Sequence, residues 1–280
     1  MLDRLARLLG LAGATALLGA CSGVDATPAE EASPVNVVSV TSGDFYFQMP
    51  DTLPAGLTSF RLVNEGQELH HIQAVRLEDG RTLRDFTEHL AAENAFPEWA
   101  VEVGGPNAGV PGAETEATFA LEPGTYAIVC MIPSPDGTPH IMKGMMKQVA
   151  VVAGDAAATE LPPADVTIVL DDYSFEVTPA LTAGRRVIRV ENRAAQPHEV
   201  LLARLEPGKT PMDLVQWTEK PEGPPPAAVV GGTTAFRKGI VNQATVDLVP
   251  GEYALICFIP DATDGKPHFV HGMMTQVTVR

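Results

Sequence analysis

The chain is written twice. Asn64 to Leu77 reads NEGQELHHIQAVRL and Asn192 to Leu205 reads NRAAQPHEVLLARL, an ungapped match at an offset of 128. Gly80-Arg81-Thr82 then faces Gly208-Lys209-Thr210, and Asp85 faces Asp213. EPGTYAIVCMIP (Glu122 to Pro133) matches VPGEYALICFIP (Val249 to Pro260) at 127, and PHIMKGMM (Pro139 to Met146) matches PHFVHGMM (Pro267 to Met274) at 128. Any fold for this chain must therefore be one that about 120 residues can complete alone, the size of a self-sufficient domain. Two such copies make tandem domains, not a solenoid.

The expected boundaries are 35–153 for the first domain, 154–163 for a small, polar linker and 164–280 for the second. Within the first copy, Val35 to Phe47, Leu57 to Asn64, Ile72 to Leu77, Thr115 to Leu121, Tyr126 to Met131 and Lys147 to Val152 are short runs rich in Val, Ile, Thr, Phe and Tyr, which predicts strands. The second copy has the same series from Val166 to Val279, and one helical stretch per copy falls at Leu83 to Glu93 and Pro211 to Trp217. The 24 Pro and 25 Gly are spread along the chain, which suits many strands joined by turns better than a helical bundle. The fold class expected is all-β: two tandem antiparallel β-sandwiches, each with a short side helix.

The N-terminus reads as an address. Arg4 and Arg7 precede the apolar stretch Leu8 to Leu18, too short for a permanent membrane span, which runs into Leu18-Gly19-Ala20-Cys21. Small residues before a cysteine resemble the bacterial lipobox, which implies a signal peptide over 1–21 and lipidation of Cys21. The alternative is an ordinary signal peptide with an incidental cysteine. Residues 22–34, rich in Ala, Pro, Glu and Ser, read as a flexible tether. A formal net charge of -16 repels nucleic acid and anionic bilayers, so no nucleic acid partner is expected and the membrane is reached through the lipid. The expected location is the bacterial cell envelope, anchored and facing the periplasm or the exterior.

Each copy places a His after an early strand, a Cys at the end of a late one, then a His and a Met on the following loop. These are His70, Cys130, His140 and Met145, and His198, Cys257, His268 and Met273, a shared pattern H…C-x9/10-H-x4-M. A thiolate and two imidazoles suit copper, with a thioether as a weak axial ligand. Other readings stay open: the cysteines as buried hydrophobes or a disulfide, the histidines as bonded core residues, and Met146 or Met274 in place of their neighbours. His71 and His271 read as surface groups beside the sites, and His89 as a helix residue without a role.

NRAAQPHEVLL resembles the first-ligand segment of plastocyanin- and azurin-like cupredoxins, and CFIPDATDGKPHFVHGM is similar to the type 1 copper loop of copper-containing nitrite reductases. The resemblance covers nearly all of the chain after the tether and implies tandem Greek-key cupredoxin domains, with one copper per domain held by the two sets of four residues above. The Cys-to-His interval of nine or ten residues is longer than in small carriers. It implies a loop able to hold His140 and His268 away from the metal until copper binds. Leu69 stands where the second copy has Pro197, and His71 where it has Glu199, so the second site follows the pattern more fully.

Copper enzymes built on such domains hold further copper with paired histidines. None of the seven His here stands two residues from another, and Val75 and Ala203 occupy the place five residues beyond the first ligand, so no enzyme is expected. The expected function is one-electron transfer, with His140 or His268 as a surface-proximal exit and a redox protein of the envelope as partner. The alternatives are copper storage, delivery or tolerance with a copper-exchange partner, and a metal-free binding module.

Overall fold

The computed structural model describes residues 35–154 and 160–280. The signal peptide, the tether, Cys21 and part of the 154–163 linker lie outside the described residues. In the first repeat the strands are β1 (Asn36–Gly43), β2 (Tyr46–Gln48), β3 (Thr52–Pro54), β4 (Gly56–Asn64), β5 (Gln73–Leu77), β6 (Ala100–Gly104), β7 (Glu114–Leu121), β8 (Gly124–Val129) and β9 (Met146–Val152), with helix α1 (Leu83–Glu93) between β5 and β6. The second repeat has β10 (Val166–Asp171), β11 (Ser174–Thr178), β12 (Gly184–Asn192), β13 (His198–Leu205), β14 (Ala227–Phe236), β15 (Val241–Leu248), β16 (Gly251–Ile256) and β17 (Met274–Val279), with α2 (Pro211–Glu219) after β13. The fold is all-β.

The run expected as one strand from Val35 to Phe47 is a hairpin that turns at Asp44 and Phe45, and Asp172 and Tyr173 occupy the matching turn between β10 and β11. The matched Thr82/Asp85 and Thr210/Asp213 are capping boxes that start the two helices. Each hydroxyl accepts the amide of the Asp three residues on, and each Asp carboxylate accepts the threonine amide.

Each repeat packs three layers. Val40, Phe60, Phe119, Ile128 and Val149 belong to an apolar core between two sheets, and Ile168, Ile188, Leu202, Val246 and Leu255 to its counterpart. The other face of β5 and β8 packs on Phe86 and Leu90 of α1, and that of β13 and β16 on Leu214 and Val215 of α2. Strands covered on both faces read as near-continuous apolar runs. That explains QAVRL and HEVLLARL, which carry little alternation.

The two repeats share both of their sheets. One runs β11-β10-β12-β15-β7-β4-β1-β2 and the other β17-β16-β13-β14-β6-β5-β8-β9-β3. The joins are β7 with β15, at Ala117 opposite Ala244, and β6 with β14, at Val103 opposite Phe236. Arg237 fastens the second join from across the repeat boundary: its Nε lies 2.7 Å from Glu102 Oε2 and its Nη2 donates to Ala100 O at 2.8 Å. Joining at these strands removes an exposed edge from each sheet.

Candidate metal centres

Main-chain hydrogen bonds set the ligand loops before any side chain acts. In the first repeat Cys130 N donates to Met145 O (3.2 Å), Ile141 N to Cys130 O (2.8 Å), His140 N to Ile132 O (2.9 Å) and Met145 N to His140 O (2.9 Å). The second repeat repeats the set: Cys257 N to Met273 O (3.1 Å), Phe269 N to Cys257 O (3.1 Å), His268 N to Ile259 O (2.9 Å) and Met273 N to His268 O (3.0 Å). The long Cys-to-His interval does not hold the second His away. Pro133 bridges to Pro139, and Pro260 to Pro267, so the extra residues between them project as a side turn and the ends stay together.

The first His is placed by a buried asparagine. Asn64 Nδ2 donates to Glu68 O (2.7 Å) and Gly109 O (2.8 Å), and its Oδ1 accepts from Gly66 N (2.8 Å). Asn192 does the same with Gln196 O, Phe236 O and Ala194 N. These bonds curl the segment that ends at His70 and His198.

His70, Cys130 and His140 converge, as do His198, Cys257 and His268, with the donor atoms of each group within 4.8 Å of one another and all six side chains buried. Cys130 Sγ is 3.4 Å from His140 Nδ1, and the two Nδ1 atoms of His70 and His140 are 3.2 Å apart. Cys257 Sγ is 3.4 Å from His268 Nδ1 and 3.8 Å from His198 Nδ1. Met145 and Met273 are fully buried in the same cores as the cysteines, whereas Met146 is 36% exposed, consistent with neighbouring residues facing opposite ways. Among the described residues, Cys130 and Cys257 form no disulfide.

The far ring nitrogens explain why the near ones are bare. His70 Nε2 meets Asp44 Oδ1 at 2.8 Å, His140 Nε2 meets Glu68 Oε2 at 2.9 Å, and His198 Nε2 meets Asp172 Oδ1 at 2.9 Å. A carboxylate at Nε2 holds the proton there, leaving the Nδ1 lone pair aimed inward and raising its basicity as a ligand. Two lone pairs facing each other at 3.2 Å beside a sulfur repel unless a cation sits among them, and the donor set suits copper. Among the described residues, His268 Nε2 is buried without a hydrogen-bond partner; Asp261 Oδ2 is 3.8 Å away, too far for one. Burial pushes the Cys130 thiol up to about 12 and raises that of Cys257 further, so each needs a bound cation to become a thiolate at neutral pH.

Both sites are roofed by the hairpin turn. The Phe45 ring lies 5.0 Å from that of His140 and the Tyr173 ring 5.4 Å from that of His268. Under this roof His140 and His268 are 0% exposed, so neither ring meets solvent directly. The sequence reading missed Asp44, Phe45, Asp172, Tyr173 and Glu68. The signal was present in the Asp-aromatic pair recurring at the 128 offset.

His71 is also corrected, since it is buried and its Nε2 accepts from Met131 N at 2.9 Å. Glu199, its counterpart, is buried too, and its Oε1 accepts from Phe258 N at 3.0 Å. The residue after the first His thus grips the amide after the Cys in both repeats. Asp261, Asp264 and His271 form a third group of close donors, with Asp264 and His271 exposed. Its counterpart in the first repeat is the Lys143–Asp136 ion pair at 2.8 Å, at the place where His271 Nε2 lies 3.1 Å from Asp264 Oδ1. That group clamps the side turn.

Desolvation lowers the pKa of His71 to about 3, and lowers those of His70, His198 and His268 as well. A base that holds its proton less firmly folded than unfolded withdraws stability as pH falls. The unfolded chain takes up the proton near 6.5, while the folded chain resists it to about 3. His71→Gln keeps an acceptor for Met131 N and removes this titration. Thermal midpoints of the metal-free protein and this variant are therefore expected to diverge in favour of the variant from pH 6.5 downward, the gap being complete near pH 3. Parallel midpoints over that range would contradict a buried, neutral His71.

No family model matches the sequence, and neither does any curated protein. Solved structures do. A reduced auracyanin from Roseiflexus castenholzii is 17% identical, the match covering 43% of this chain and 98% of that one, at a TM-score of 0.31. A multicopper oxidase is 14% identical over 88% of this chain and 89% of that one, at 0.27. A copper nitrite reductase from Nitrosomonas europaea is 15% identical over 88% and 93%, at 0.25. The expectation that the chain is not an enzyme is corrected by this finding, because copper enzymes stand among the similar structures beside blue copper proteins. The chain is an all-β repeat in duplicate, with a buried His/Cys/His group whose donor set suits copper in each copy.

Proposed function

We propose that the protein is an exported, lipid-anchored copper protein that moves single electrons in the cell envelope, exchanging them with another redox protein. The observation that carries the reading is the second centre, where Cys257 Sγ sits 3.4 and 3.8 Å from two inward-facing Nδ1 atoms in a fully buried site. His198, Cys257, His268 and Met273 would hold one copper, and His70, Cys130, His140 and Met145 another. Copper there supplies a one-electron couple between its two common oxidation states.

The residues do the rest. Asp44, Glu68 and Asp172 keep the Nε2 protons in place, so the imidazoles present the same nitrogens in either charge state. The loop hydrogen bonds fix Cys, His and Met to one another, which limits rearrangement when the charge changes by one. Phe45 and Tyr173 exclude water above the second imidazole and leave a thin aromatic cover between site and solvent. Buried, roofed ligands favour electron exchange over release of the ion, and thus transfer over copper storage or delivery.

Stopped-flow mixing of the copper(I)-loaded protein with an oxidised small redox protein, in the presence of a copper(I) chelator, separates these. Oxidation faster than capture by the chelator is the expected result. Capture before any oxidation would assign the chain to copper handling.

A further inference from the structure

One buried segment, Pro106 to Gly109, touches both centres. At its end Gly109 exchanges both main-chain hydrogen bonds with His70, N to O at 2.9 Å and O from N at 3.3 Å. At its start Pro106 O accepts from Ile72 N at 3.1 Å. Between them Asn107 reaches into the second repeat. Its main-chain N donates to Gly232 O (3.1 Å), and its Nδ2 donates to Glu199 Oε2 (3.1 Å), Thr233 O (3.1 Å) and Val200 O (3.4 Å). Glu199 follows His198, and its other oxygen holds Phe258 N, the amide next to Cys257.

The duplication supplies an internal comparison. Thr234 is the counterpart of Asn107: its Oγ1 donates to Ile72 O at 2.8 Å, as Asn107 does to Val200 O. Thr234 makes no hydrogen bond to His71 among the described residues. The first repeat therefore reaches into the second centre, and the second does not return the contact.

We propose that Asn107 is a positioning residue for the second metal centre, fixing the Glu199 carboxylate that holds the backbone beside Cys257. Glu199 is a buried carboxylate with one oxygen on Phe258 N and the other on Asn107. Removing the Asn107 amide orphans the second oxygen, and a buried acceptor without a donor turns to find one. The turn would loosen the Phe258 amide and, with it, the placement of the sulfur. The spectroscopic side of this inference rests on the copper reading above; the thiol side does not.

The test is Asn107→Ala in two backgrounds: Cys130→Ser, where only the second centre keeps its thiol, and Cys257→Ser, where only the first does. In Cys130→Ser, Asn107→Ala is expected to shift the thiolate-to-copper absorption and weaken copper(I) binding about tenfold, the scale of outer-shell partners. Without metal, alkylation of Cys257 by iodoacetamide, read by peptide mass spectrometry, should be faster than in Cys130→Ser alone. In Cys257→Ser the spectrum and Cys130 alkylation should stay as they were. Thr234→Val removes the matching contact and should leave Cys257 alkylation unchanged. An unmoved Cys257, or equal acceleration by Thr234→Val, overturns the proposal. If the Cys130→Ser chain takes up no copper, the copper reading fails, and the alkylation rates still decide the role of Asn107.

Discussion

Copper(II) added to the Cys257→Ser chain is expected to give about half the thiolate-to-copper absorption of the unmodified protein, since each centre contributes one sulfur anion. Cys130→Ser should give the other half, and the double variant should be colourless. The size of the effect follows from the donor chemistry: Ser fills nearly the same space but offers a hard oxygen that keeps its proton, so neither the band nor tight binding survives. The position is fully buried, and the new hydroxyl costs about 1–3 kcal/mol if left unpaired. The band that remains from the other centre therefore also reports that the chain is folded. Full absorption from either single variant would show that the removed sulfur was not a ligand.

The largest stability effect is expected where the backbones of neighbouring strands nearly touch. Gly232 has φ 123°, and a Cβ there would strike the Val200 carbonyl; Gly105, with φ 146°, would strike that of Ile72 in the same way. Both faults act at once, a backbone conformation foreign to side chains and a clash with main chain that has nowhere to move. Gly232→Ala and Gly105→Ala should each cost at least about 3 kcal/mol. Val200 and Ile72 lie two residues from His198 and His70, so the copper-loaded spectra should change as well. Gly208 has φ 77° and open space around it, and Gly208→Ala should cost only about 1 kcal/mol. Denaturant midpoints measure all three. Equal, small losses would show that the strands can separate enough to admit a methyl group.

Sequence alone carried the repeat, the convergence of His, Cys and His in each copy, the helix over Leu83 to Glu93 and most of the strands, because each is a local pattern written twice. Three features escaped it for physical reasons. The hairpin turn at Asp44 and Phe45 sits inside an alternating apolar run, so it reads as strand, and its role shows only when the turn meets the imidazoles. β6 carries Glu102, whose burial makes sense only with Arg237 from the other repeat beside it. The joining of the two repeats depends on edges that alternate like any others, and nothing local distinguishes a strand that will find a partner 127 residues away, as Ala117 finds Ala244. His71 was misplaced for the same reason: its partner is the amide of Met131, 60 residues on.

The reading stands on a copper ion bound by one sulfur and two nitrogens in each repeat. X-ray absorption at the copper edge, on protein loaded to two equivalents, measures that shell without reference to function. One short sulfur and two imidazole nitrogens per copper is the predicted result, with the sulfur lost from half the copper in Cys257→Ser. A shell of oxygens and nitrogens with no short sulfur would contradict it.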